Sequence, residues 1–322
     1  MKAQTILITG GSGTFGTAFI RYALDQGAAR VICLSRGEHR QAELRREIND
    51  ARLDTWLGDV REPDRLAEAF GVKPDLVIHA AALKRVESCE GDPEEALKTN
   101  VLGTWHVVRE ARRAGVPRVL VISSDKATSP ETTYGKTKAM AEDLALGQNT
   151  YRGFGSTRIS VARYGNVLGS NGSFLETLLR ARQTGEPIAI TDPQATRFWW
   201  TVDDAVQFVG WVLGVMQGGE IFIPKLASSK VVDLAAAVAP KSEQRIVGTR
   251  GPEKTHEAMI NGTEARCAYE WDRAYVLYPK HGQWWSPTPK GTKVPDGFVY
   301  ASDDAPPFAL EALEAPSCAS PS

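Results

Sequence analysis

Cysteine is scarce in this chain. Cys33, Cys89, Cys267 and Cys318 are scattered through 322 residues without ligand spacing, which argues against a disulfide framework or a zinc site and for a reducing compartment. The five histidines, at 39, 79, 106, 256 and 281, form no i, i+4 pair, so metal catalysis has little support and no metal is expected. No apolar run reaches the ~18 residues of a membrane span. Met1-Lys2-Ala3-Gln4 leads into a strand without signal-peptide architecture, so a cytoplasmic protein is the expectation. Charge of one sign is also missing. With 38 basic and 39 acidic residues the formal net charge is -1, and no global field draws nucleic acid or an anionic membrane.

What is present is a repeated strand-and-helix rhythm. Thr5 to Thr9 is a β-branched apolar run, followed by Gly10-Gly11-Ser12-Gly13-Thr14-Phe15-Gly16 and then by apolar residues at helical spacing. Strand, glycine turn and helix are the context of a dinucleotide fingerprint. Gly10 allows the tight turn, Gly13 the approach of backbone to a pyrophosphate, and Gly16 close helix packing. The next strand, Val31 to Leu34, ends in Ser35-Arg36, where an NAD site usually places an acid. A hydroxyl and a guanidinium suit a 2'-phosphate. NADP is therefore expected, with Glu38 leaving room for NAD and an ordinary surface charge as the bland account of Arg36.

A third strand precedes Gly58-Asp59-Val60, whose Asp59 could accept from an adenine amino group. A fourth ends in His79-Ala80-Ala81-Ala82, small residues that let a flat ligand lie against backbone. His79 reads as a packed strand-end residue. Asn100, in the middle of a helix, is either a solvent residue or a polar tether for a neighbouring loop. Strands and helices alternate through Ile122, which describes an α/β fold with a doubly wound parallel sheet.

After the strand Arg118 to Ile122 comes Ser123-Ser124-Asp125-Lys126-Ala127, and then Tyr134-Gly135-Lys136-Thr137-Lys138 with helical composition. Ligands of open α/β sheets bind outside the carboxyl ends of strands. Tyr134 and Lys138, at i and i+4, share a helix face, and a neighbouring ammonium favours phenolate. Asp125 and Lys126 add a second acid/base pair. Beyond Ile159 to Tyr164 and Gly165-Asn166-Val167 the rhythm loosens. The expected organisation is a Rossmann domain over 1–165, onto which a helix near 203–216 packs back, a smaller α/β substrate domain over 166–305, and a disordered tail over 306–322.

These pieces carry a resemblance. Thr9 to Gly16, Ser35-Arg36, Gly58 to Arg61, His79 to Lys84, Lys98 to Asn100, Ser123 to Ala127, Tyr134 to Lys138, Arg163 to Gly169, Thr196 to Trp199 and Glu253-Lys254 with His256-Glu257 resemble the extended short-chain dehydrogenases/reductases. Within them they resemble the soluble UDP-N-acetylglucosamine 4,6-dehydratases. The resemblance implies hydride transfer from carbon 4 to a tightly bound NADP, with Tyr134 taking the 4-hydroxyl proton. Lys126 would then remove the carbon 5 proton, Asp125 would protonate the departing 6-hydroxyl, and hydride would return to carbon 6. It places Lys138 and Asn100 with Gly10, Gly13, Thr14, Phe15, Gly16, Ser35, Arg36, Asp59, Val60 and Ala80 to Ala82 at the cofactor. It places Lys84, Ser124, Asn166, Arg197, Arg250 and Glu253 at the nucleotide sugar.

It also implies inversion at carbon 5 and a homo-oligomer, a dimer or hexamer. Arg250-Gly251-Pro252-Glu253 exchanges the family's usual proline and glycine, shifting a rigid φ by one residue. The competing accounts are a 4-epimerase, a dehydratase of another nucleotide sugar, and a catalytically silent NADP-binding scaffold.

Overall fold

The computed structural model describes residues 1–150, 157–170, 172–249, 251–279 and 289–310. Among them, ten strands form one sheet. β1 (Thr5–Thr9), β2 (Arg30–Ser35), β3 (Leu53–Leu57), β4 (Leu76–His79), β5 (Arg118–Ser124) and β6 (Arg158–Tyr164) run parallel in the order β3-β2-β1-β4-β5-β6. The order reverses between β1 and β4, and Thr9 pairs with His79 at that point. Crevices outside such a reversal are where open α/β sheets take ligands. The central strands are apolar throughout because helices cover both faces: Ile6, Leu7, Ile8, Val77, Ile78 and Leu120 are fully buried.

The first helix, α1 (Thr14–Asp25), buries Gly16, Phe19, Ile20, Ala23 and Leu24, the stripe a 3.6-residue period demands. Each large apolar side chain so buried contributes about 1.5–3 kcal/mol. The helix Val202–Val215 lies across α1, with Gly210 against the Tyr22 ring.

Residue 165 does not separate two sheets. Four later strands, Ile221–Pro224, Ala268–Glu270, Ala274–Leu277 and Thr292–Lys293, rejoin the main sheet beyond β6, the first parallel and the rest antiparallel. What stands apart is smaller. Leu168, Leu175, Leu178, Ile188, Ile190, Trp199 and Leu234 form a second apolar cluster beside the strand Thr196–Trp200. Of the tail expected over 306–322, residues 306–310 are tied in and 311–322 lie outside the described residues. Ser228 N donates to the Pro306 carbonyl at 2.8 Å, Phe308 N to the Ser228 carbonyl at 2.7 Å, and Phe308 and Leu310 pack on the second cluster.

Candidate active site

The glycine turn is shaped by backbone approach. Gly10 has φ +72°, and a Cβ there would lie 2.7 Å from Ala81 N, so this residue fixes how closely β1 meets the Ala80–Ala81 turn. A Cβ on Gly16 would lie 2.6 Å from the Gly10 carbonyl oxygen, whereas one on Gly13 would meet that oxygen at 3.3 Å and nothing else within 4 Å. Two glycines are thus required by packing, and Gly13 keeps an open face. No side chain caps α1 and no acid lies in its first turn, so the helix start through Thr14, Phe15 and Gly16 fits a diphosphate.

Ser35 is held by Ser12 Oγ and by Gln41 Nε2, each at 2.9 Å. Arg36 is half exposed, 3.7 Å from Asp59. Asp59 accepts from Arg61 N at 2.9 Å and Nε at 2.8 Å. Burial alone would raise its carboxyl, but the Arg61 bonds and the Arg36 charge outweigh burial and hold it below the ordinary range. Val60 is buried against Gly103. Asn100 spends its amide elsewhere: Oδ1 accepts from Leu83 N at 2.8 Å, and Nδ2 donates to the Leu83 carbonyl and to Thr137 Oγ1, each at 3.0 Å. It is the polar tether of the loop after β4. His79 is likewise structural, between Thr9 Oγ1 at 2.7 Å and Thr104 Oγ1 at 2.9 Å.

The acid/base residues meet at the end of β5. Ser124 Oγ donates to Asp125 Oδ1 at 2.8 Å. Lys126 Nζ lies 3.2 Å from that same oxygen and 3.1 Å from Glu257 Oε1. Thr132 caps the helix Thr133–Gly147 by accepting from Gly135 N at 3.1 Å, and Gly135, lacking a Cβ, lets that first turn rest on the Lys126 carbonyl. Tyr134 is thereby set over the turn that carries Lys126.

The titration logic differs from the expectation of a phenol lowered by Lys138. Burial pushes the Tyr134 phenol up to about 12, against a Ser124 hydrogen bond and the Lys126 charge that pull it down. Lys138 Nζ instead donates to the Ile122 carbonyl at 2.7 Å, and burial brings it down to about 8. Lys126, rather than Lys138, is the cation that acts on the phenol, and desolvation wins.

A cleft of about 240 Å³ opens beside these groups, lined by Lys126, Asn166, Arg197, Trp199, Glu253 and Glu257. The Asn166 Oδ1 atom is buried there without a hydrogen-bond partner among the described residues. Arg197, which the resemblance places at the nucleotide sugar, has much of its guanidinium engaged by the chain: Nη1 donates to the Thr255 carbonyl at 2.9 Å and Nη2 to the Lys254 carbonyl at 3.0 Å. It clamps the segment that carries Glu257. Gly251 takes φ +81°, and the turn it makes with Pro252 leaves Glu253 on the cleft wall. Lys84 is exposed in the loop before Val86, which also lines the cleft. Arg250 lies outside the described residues.

A family profile described as polysaccharide biosynthesis protein matches residues 6–279. The chain is 39% identical to the inverting UDP-N-acetylglucosamine 4,6-dehydratase of Campylobacter jejuni over 96% of each chain. It is 37% identical to a UDP-glucose 4-epimerase of Rickettsia rickettsii over 87% of this chain and 84% of that one. Its fold matches the X-ray structure of Pen from Bacillus thuringiensis with a TM-score of 0.88, 29% identity and 97% of each chain covered. The chain belongs to the polysaccharide biosynthesis protein family, on the extended short-chain dehydrogenase/reductase fold.

In this family member, sequence reasoning gave Glu257 no role of its own. It is 3% exposed, and its Oε2 has no hydrogen-bond partner among the described residues, as is also true of Asp125 Oδ2. No motif announces Glu257, because its neighbour Lys126 lies in another part of the chain. Its only signal was membership of the Glu253 to Glu257 match. Arg163 of the same motif as Asn166 serves packing. It donates to Glu142 Oε2 at 2.6 Å, Glu264 Oε1 at 2.9 Å and the Met259 carbonyl at 2.9 Å.

Proposed function

We propose that this protein is a UDP-N-acetylglucosamine 4,6-dehydratase of the inverting type, working with NADP. The observation that carries the reading is the convergence of Ser124, Asp125, Lys126 and Tyr134 on one strand end that opens into the cleft. Removing water across carbons 5 and 6 needs an acid and a base there, whereas epimerisation at carbon 4 alone does not. A bound nicotinamide dinucleotide supplies the hydride acceptor for carbon 4 and the hydride donor for carbon 6. The glycine turn and the uncapped α1 fit its diphosphate, and Arg36 beside Ser35 suits a 2'-phosphate.

The chain's own residues handle the protons. Tyr134 accepts the proton of the 4-hydroxyl while Ser124 orients that oxygen. Lys126 serves the carbon 5 proton, and Asp125 delivers a proton to the departing 6-oxygen. Asn166 and Glu253 hold the nucleotide sugar along the cleft. Incubating the purified protein with UDP-N-acetylglucosamine and weighing the product by mass spectrometry tests this: a product lighter by one water is expected. An unchanged mass with an altered sugar would favour the 4-epimerase reading that the Rickettsia relative's name suggests. Untouched substrate would refute both for this sugar.

A further inference from the structure

A lysine that is to accept a proton must first be neutral, and the surroundings of Lys126 oppose that. Asp125 faces it from its own turn, Glu257 and Arg197 from the cleft wall, and Tyr134 from the helix above. Burial works against the ammonium, yet Asp125 and Glu257 outweigh burial and Arg197, so its affinity for a proton stands above the ordinary lysine value. Glu257 is built for a fixed part in this. Its N–H donates to Ser302 Oγ at 3.0 Å and its carbonyl accepts from Ser302 N at 2.8 Å. One carboxylate oxygen meets Lys126, and the other is buried and unpartnered among the described residues. A buried carboxylate oxygen without a donor costs stability with no structural return.

We propose that Glu257 is the positioning residue that stores the Lys126 proton during elimination; this rests on the dehydratase reading above. One proton moves from Lys126 Nζ to Glu257 Oε1, giving a neutral amine and a carboxylic acid without exchange with water. The amine takes the carbon 5 proton of the 4-keto sugar, and the electron pair passes into the enolate. That proton then travels from Nζ through Asp125 to the 6-oxygen. The carbon 6–oxygen bond breaks, the carbon 5–carbon 6 double bond forms, and water leaves. Glu257 returns its proton to the amine, so the ion pair is restored.

The test needs no substrate for its first arm. The full chain, as purified, is reductively methylated with formaldehyde across a pH series, and modification of Lys126 is read by peptide mass spectrometry. In Glu257→Gln the midpoint is expected to fall by at least about 1 pH unit, the effect of losing one adjacent opposite charge. Glu257→Asp, which keeps the carboxylate, should stay near the wild-type midpoint. An unchanged midpoint in the Gln variant, or an equal drop in the Asp variant, overturns the proposal.

The second arm uses UDP-N-acetylglucosamine. Glu257→Gln should still reduce the nicotinamide, seen by its absorbance, while water loss falls about 100-fold, the scale of one proton-transfer partner. Equal loss of both steps would contradict it. If the wild-type protein releases no dehydrated product, the functional reading fails, while the labelling arm still decides whether Glu257 governs Lys126.

Discussion

Two buried clusters in this protein use the same ingredients and reach opposite ends. Around Arg163, Glu142 and Glu264 supply two carboxylates, and Thr128 Oγ1 and the Met259 carbonyl complete the shell at 2.7 and 2.9 Å. Around Lys126, Asp125 and Glu257 again supply two carboxylates, but one oxygen of each is left buried and unpartnered among the described residues. The guanidinium's fixed fork satisfies its acids, whereas an ammonium point charge leaves them with unused acceptors. The first arrangement braces β6, the Tyr134 helix and the strand Ala258–Ile260. The second holds unspent hydrogen-bonding capacity beside a cleft, as proton chemistry requires.

Four experiments can break or sharpen that contrast. Asp125→Asn keeps the shape of the second cluster and removes its acid. Product release is expected to fall by about 10²–10⁴-fold, with cofactor binding retained in a fluorescence titration. Arg163→Met should behave the opposite way, costing about 3–5 kcal/mol of stability because the Glu142 and Glu264 carboxylates lose their partner. Of those two carboxylates Glu142 is buried and Glu264 is half-buried. Thermal unfolding reads the loss, and turnover per folded molecule should be little changed. A large loss of turnover without loss of stability would erase the distinction between the clusters.

His79 extends the contrast to pH. Burial, followed by the Lys138 charge, brings it down from 6.5 to about 3. Between those values the unfolded chain holds the extra proton, so this contribution to stability is complete above about 6.5 and is lost as pH falls toward 3. The slope should reach about 1.4 kcal/mol per pH unit, measured by denaturant unfolding, and His79→Gln should flatten it. The smallest effect is expected at Arg36, half exposed and at 3.7 Å from Asp59. Arg36→Ala should weaken NADP by about tenfold, the loss of one charge-assisted bond, and NAD hardly at all. Equal weakening of both would remove its assignment to the 2'-phosphate.

Much of this was legible in the sequence because local chemistry wrote it there. The run Thr5 to Thr9, the glycines and the stripe on α1 each have a period or a steric need, so the first βα unit and the parallel sheet around it follow from pattern. Ser124, Asp125, Lys126 and Tyr134 are near neighbours in sequence, and the fold brings them together at the end of β5. The return of the strands at 221–224 and 268–293 to the main sheet was not legible, because strand pairing between distant segments leaves no local signal. Residues 306–310 were misread for a related reason: their prolines suggested disorder, while Phe308 and Leu310 found an apolar cluster. A mid-helix Asn100 fits a solvent residue or a tether equally well in sequence, and only its contacts with Leu83 and Thr137, distant in the chain, make it the tether. Glu257 needed the fold itself, since it reaches Lys126 only because its segment packs on the turn after β5, where Lys254 Nζ donates to the Thr128 carbonyl at 2.6 Å.

The most direct test of the central claim, that the Lys126 cluster performs an elimination, is to run the reaction in deuterium oxide and analyse the sugar by mass spectrometry and proton NMR. The account predicts a 4-keto-6-deoxy product, lighter than the substrate by one water before label is counted, with deuterium at carbon 5 and ring couplings of the inverted configuration. Loss of water with the original hydrogen retained at carbon 5, or a product that keeps its 6-hydroxyl, would contradict it.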